Sequence, residues 1–199
     1  MRFSRVLTAL LLGLTLACAS GPSHKARAIP VTPPTHPVAD LERALASPDA
    51  AARAAAAWEL AGADTLGAET LKTLLDLSRG DPDLGVRNGA AWAFGHLASA
   101  TKAGKEMAEH QYDQAPKLTS QARLVYPGPA FDKKVAGTVE VEILIEETGN
   151  VARAEVRKSI PELDAAALDN VRKWHFSPAL KDGKPVPSTA LAPVTFRIY

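Results

Sequence analysis

Gly137-Thr138-Val139-Glu140-Val141-Glu142-Ile143-Leu144-Ile145, in the last third of the chain, places Val139, Val141, Ile143 and Ile145 on one face and Thr138, Glu140 and Glu142 on the other. Period two predicts a half-buried strand, with the two glutamates on a solvated face. Glu147-Thr148-Gly149-Asn150 then supplies turn chemistry, and a second strand from Val151 to Lys158 completes an antiparallel hairpin. Pro161 suits the first turn of a helix, and Leu163, Ala166, Ala167, Val171 and Trp174 recur at helical spacing, with Arg172 and Lys173 near the negative end of its dipole. That stripe lays the helix on the sheet and buries Trp174. From Leu191 to Tyr199 the pattern alternates again, with Val194, Phe196 and Ile198 inward. Pro193 has no N–H to donate, which confines this last strand to an edge or to its own start.

Around this frame stand further fixed features: Tyr126-Pro127 followed by Ala130, Leu163-Asp164-Ala165-Ala166-Ala167-Leu168, Trp174-His175-Phe176-Ser177-Pro178, and Asp182-Gly183-Lys184-Pro185-Val186-Pro187. In this order they resemble the C-terminal domain of the TonB family, from Tyr126 to Tyr199. The resemblance implies a small periplasmic domain, a three-stranded antiparallel sheet with a packed helix. It also implies binding by strand addition, in which an extended segment of an outer-membrane receptor or another envelope protein pairs with an exposed edge. Carried onto this chain, the partner-binding residues are Tyr126 and Pro127 on the segment leading in, and Ala192, Val194, Thr195, Phe196, Arg197 and Ile198 on the last strand. Arg123-Leu124 stands where the family often has Gln-Pro, and Phe131 where it often has a basic residue.

At the other end, Arg2 and Arg5 precede an apolar run from Val6 to Ala17, and the single cysteine, Cys18, follows it. A bilayer-spanning helix needs about twenty apolar residues, so the run reads as a cleaved signal peptide over residues 1–17. Leu14-Thr15-Leu16-Ala17-Cys18 resembles a bacterial lipobox, which implies acylation of Cys18 and a membrane-anchored periplasmic lipoprotein, in the outer membrane rather than the inner. One cysteine excludes an intrachain disulfide framework. Residues 18–37 are rich in Pro, Ser, Thr and Ala and read as an extended tether of at most about 60 Å, in which His24 and His36 are solvated.

Residues 38–100 contain an internal repeat. Pro48, Asp49, Arg53, Ala56, Ala57 and Trp58 recur as Pro82, Asp83, Arg87, Ala90, Ala91 and Trp92. A period in the thirties signals stacked helix pairs, here 38–47 with 50–63 and 68–79 with 84–100, with Ser47 and Asp81 as N-caps. The Asp-Pro-Asp turn, the arginine and the Ala-Ala-Trp run resemble the HEAT family, a scaffold of protein contacts. Two repeats are fewer than a free-standing solenoid requires, so the pair closes on itself, docks on the C-terminal domain, or is completed by a partner. Trp58 and Trp92 read as core residues at equivalent sites, and His96 as a surface or cap residue. Residues 101–118 read as a linker or a frayed helix ahead of the C-terminal domain over 119–199.

The net charge is +1 at pH 7 and no basic cluster is interleaved with aromatics, which argues against nucleic acid as a partner. A Gly-rich phosphate loop and metal-ligand spacing among the histidines are both missing from the sequence, and the residues that could form a catalytic set have structural roles. His175 falls in a slot that the family commonly fills with a basic residue. The sequence therefore predicts an α+β protein that is not an enzyme and needs no cofactor or metal: a lipid-anchored, TonB-type module binding an envelope partner, with a role in transport. Two other readings stay open. One is a HEAT-like scaffold whose C-terminal domain forms a homodimer through its free edge, and the other an energy transducer whose apolar run stays uncleaved.

Overall fold

The computed structural model describes residues 27–28 and 32–198; the apolar N-terminal run, Cys18 and His24 lie outside them. Four helices come first: α1 (Val38–Ala44), α2 (Ala50–Leu60), α3 (Ala68–Gly80) and α4 (Leu84–Leu97). The caps differ from expectation. Asp49 and Asp83 take that role, accepting the N–H of Ala51 at 3.1 Å and of Val86 at 3.0 Å. Ser47 and Asp81 sit two residues before these caps and instead accept the N–H of Asp49 and Asp83. Leu60, Leu71, Leu74, Ala90, Ala91 and Phe94 are fully buried between these helices. After a short 3-10 turn, Thr101 caps α5 (Lys102–Glu109) by accepting the N–H of Gly104.

The second half comprises β2 (Lys117–Ser120), α6 (Gly128–Asp132), β3 (Gly137–Ile145), β4 (Val151–Ser159), α7 (Pro161–Val171), β5 (His175–Ser177), β6 (Ala179–Lys181), β7 (Lys184–Val186) and β8 (Ser188–Phe196). The main sheet is antiparallel with order β1-β4-β3-β8, where β1 is the two-residue strand Arg27–Ala28. Thus the expected three strands carry one short strand more, and the last begins at Ser188 rather than Leu191. Gly149, at φ +85, turns the β3–β4 hairpin as its sequence predicts. Small two-stranded ladders, β2 with β5 and β6 with β7, flank the sheet.

Alternation along β3 separates two cores. Val139, Val141, Ile143 and Ile145 face α7 and pack with Leu163, Ala167, Val171, Trp174, Val194 and Phe196. The buried indole N–H of Trp174 donates to Asn170 Oδ1 at 2.9 Å, so its polar edge is satisfied. On the opposite face, Leu144 is fully buried within the helical core. Burial of such a side chain contributes about 1.5–3 kcal/mol. The helical unit therefore docks on this face. At Gly95 of α4 a Cβ would lie 1.9 Å from Thr189 Oγ1, so only glycine admits β8 at this distance. The result is an α+β protein whose sheet is covered by α7 on one side and by α4 on the other.

Candidate partner-binding edge

β8 is the outermost strand on its side of the sheet. Pro193 pairs with Glu140 in mid-strand. Because proline offers no N–H, this is a non-hydrogen-bonded pair, and alternation turns the backbone N–H groups of Leu191 and Thr195 toward the free side. Leu191 is 63% exposed, while Ala192, Val194 and Phe196 bury their side chains in the core. The strand thus shows a partner backbone groups and the outer side chains of Leu191, Pro193, Thr195 and Arg197. The Thr195 and Thr138 hydroxyls lie 2.9 Å apart across the ladder, and Ile198 is half-buried beyond the strand end.

Tyr126 joins this edge from the preceding segment. Its ring meets Phe196 edge-on at 5.3 Å and Phe131 at 5.6 Å, and its hydroxyl donates to the carbonyl of Val135. Burial pushes the Tyr126 phenol up from its ordinary value. Pro127 precedes the first turn of α6, and Phe131 stands 53% exposed beside the aromatic pair. Of the residues singled out by sequence, Tyr126 and Pro127 are thus brought to the end of β8, whereas Cys18 lies outside the described residues. His175 is exposed and its ring nitrogen meets Asn150 Oδ1 at 2.9 Å.

Several polar residues lie elsewhere than expected. Glu142 is buried under α4 rather than solvated, with its carboxylate bonded to His96 Nδ1 at 3.0 Å and to the Arg157 guanidinium. Burial pushes its carboxyl up, but the hydrogen bond to His96 and the Arg157 charge outweigh that and hold it below its ordinary value. His96 is correspondingly an interdomain residue, not a surface or cap residue. Glu140 keeps a more open position and pairs with Lys158. Arg153 places its guanidinium over both repeat tryptophans, 5.0 Å from the Trp58 ring and 5.2 Å from that of Trp92. His36 is exposed as expected, and its Nδ1 also meets Glu59 at 2.9 Å. A strand pattern alone could not find Glu142, because alternation marks two faces without saying what covers the second.

Among the described residues, no cluster of His, Cys, Asp or Glu is arranged to hold a metal ion, and no helix is long and apolar enough to cross a membrane.

Residues 122–198 match the family described as Gram-negative bacterial TonB protein C-terminal. Protein TonB of Vibrio cholerae serotype O1 is 31% identical over 88 residues, which are 43% of this chain and 36% of that protein. Protein TonB of Xanthomonas campestris pv. campestris is 35% identical over 75 residues, 37% of this chain and 34% of the relative. The chain therefore spans about a third of the length of these curated relatives. The solution NMR structure of the Pseudomonas aeruginosa TonB CTD is 28% identical, covers 43% of this chain and 89% of that one, and superposes with a TM-score of 0.37. The match to the TonB C-terminal family is thus confined to residues 122–198, and the helical unit ahead of them stands outside it.

Proposed function

We propose that this chain is a lipid-anchored periplasmic module that grips an outer-membrane receptor, or another envelope protein, by adding a strand of that partner to β8. The observation that carries this reading is the position of Pro193, which leaves the N–H groups of Leu191 and Thr195 directed outward along the sheet edge. Backbone pairing there supplies affinity, and the aromatic group of Tyr126, Phe131 and Phe196 supplies a contact at one end of the strand. The match of residues 122–198 to the TonB C-terminal family supports the same mode. The two helical repeats, HEAT-like in sequence, act as the base on which this domain is mounted, and their tryptophans are engaged internally with Arg153. That engagement disfavours a scaffold that binds through Trp58 and Trp92.

The experiment is Thr195→Pro. The change removes an outward N–H without taking a bond from the β3–β8 ladder, so the melting temperature should hold while capture of crosslinked envelope partners falls tenfold or more. A folded variant that captures the same partners at wild-type level, with capture lost instead on changing exposed Leu84 of the helical unit, overturns the reading.

A further inference from the structure

A cleft of about 400 Å³ opens beside the start of β8, at the seam between the helical unit and the sheet. Phe94, Ala98, Ala108 and Tyr112 line it from the helical side, and Thr189 lines it from β8. The two sides approach closely there, because Gly95 of α4 leaves room for the Thr189 side chain that a Cβ would take away. All of this lining except Thr189 lies outside the residues matched to the TonB C-terminal family.

Gln111 belongs to the same wall. Its main chain is held on both sides: the N–H donates to the Ala108 carbonyl at 3.2 Å, and the carbonyl accepts from Arg79 at 2.6 Å. Its side chain is not held. Gln111 is only 8% exposed, yet its amide nitrogen meets no acceptor among the described residues. Buried donors are nearly always paired, so an unmet one in the wall of a cleft points to an acceptor that arrives from outside. Lys105 and Glu109 stand exposed at the rim, one turn apart on α5 and opposite in charge, so the cleft favours neither an anion nor a cation. A neutral group with a broad apolar body and one oxygen at its tip meets these conditions. A phenol is such a group.

The cleft is continuous with the edge described above. Thr189 shares the α4 face of β8 with Leu191, and the alternation set by Pro193 turns its N–H to the free side as well. A strand added to β8 places every second side chain on that face, beside Leu191 and Thr189. Antiparallel to β8, such a strand runs from Phe196 toward Ser188, so its C-terminal end arrives at the cleft.

We infer that the cleft is a specificity pocket for a tyrosine at the C-terminal end of the strand that β8 accepts, with the ring against Phe94, Ala98, Ala108 and Tyr112 and the phenol oxygen accepting from the Gln111 amide. This rests on the strand-addition reading and adds to it one residue of the partner. The edge of β8 pairs with backbone alone, whereas the helical unit selects among strands by their side chains.

The test uses the full mature chain carrying Cys18→Ser and two synthetic peptides of alternating Thr and Val, one ending in Tyr amide and the other in Phe amide. Titration calorimetry should show the Tyr peptide binding about fivefold more tightly, the share of one hydrogen bond. Gln111→Leu removes the donor at nearly constant size, should not lower the melting temperature, and should bring the two peptides to equal affinity. p-Cresol, the tyrosine side chain alone, should shift the NMR signal of the Gln111 side-chain amide in the parent chain, and toluene should not. These parent-chain measurements decide the matter even where circular dichroism shows Gln111→Leu to be misfolded. Equal binding of the two peptides by the parent, a Tyr preference that survives Gln111→Leu, or p-cresol shifts that fall away from Gln111 would each overturn the pocket, while Thr195→Pro that still weakens both peptides leaves β8 as the docking edge. Failure of both peptides to bind, with p-cresol still seated at Gln111, would instead overturn strand addition itself and the tyrosine's place in it.

Discussion

Arg87 makes with Glu147 the contact that Arg53, at the equivalent repeat position, makes with Asp81. Arg53 donates through Nη1 to the carbonyls of Ser47 and Pro48, and through Nε and Nη2 to the Asp81 carboxylate at 2.8 and 3.0 Å. Arg87 donates to the carbonyls of Asp81 and Pro82, and grips Glu147 at 2.6 and 3.1 Å. Glu147 lies in the turn between β3 and β4, so the C-terminal domain stands where the turn of a third repeat would stand. A unit of two repeats is thereby completed within its own chain.

Removing that clamp should uncouple the two halves. Arg87→Ala leaves two carbonyls and a carboxylate without their partner and should cost about 1–3 kcal/mol. Glu147→Ala should cost less, and the double variant should show a coupling of about 1 kcal/mol in urea unfolding. Strict additivity of the two single changes would mean that the pair transmits nothing between the domains.

The buried Glu142 predicts an acid-sensitive interface. Its carboxyl titrates below its ordinary value when folded, so its contribution is full above the ordinary carboxylate range and is lost as pH falls through the depressed folded value. Glu142→Gln should lower stability at pH 7 by about 2 kcal/mol. The difference from wild type should shrink as pH falls through the acid range. Melting temperatures from pH 7 to pH 3 that keep a constant gap would assign the loss to packing alone.

Trp174 closes the core between α7 and the sheet, 5% exposed and bonded to Asn170. Trp174→Ala should cost about 3–5 kcal/mol and unfold the C-terminal domain at ambient temperature. A change in the denaturant midpoint equivalent to less than about 0.5 kcal/mol would contradict the packing described above.

Cys18 follows Ala17 and the apolar run directly, which motivates its assignment as the acylated residue. Cys18→Ser should move the protein from the membrane to the soluble periplasmic fraction. Intact-mass analysis of the wild type should show a lipid adduct on the mature N-terminus, and membrane retention of the variant without such an adduct would refute the anchor.

The sequence by itself determined the β3–β4 hairpin, the helix α7 and the existence of a last strand, but not α6 or the short ladders β2–β5 and β6–β7. Alternation over Gly137 to Ile145, the Gly149-Asn150 turn and the stripe from Leu163 to Trp174 are local signals, because a side chain's face follows from its backbone period. Pro193 likewise confined its strand to an edge or to its own start, since a missing N–H is a property of the residue in any fold, and the structure places it in the middle of the edge strand β8. The repeat placed Arg53 with Arg87 and Trp58 with Trp92, but not what each would touch. Only the tertiary structure decided that Glu142 and Leu144 lie under α4, that Arg153 fills the space beside both tryptophans, and that Glu147 answers Arg87. It also decided that Thr35 and His36 fasten to Glu59. Each of these joins residues far apart in the chain, and no local periodicity records which of two solvent-facing surfaces another domain will cover. A carboxylate on an outward face reads as solvated until the docking partner removes the water and supplies His96 and Arg157 in its place.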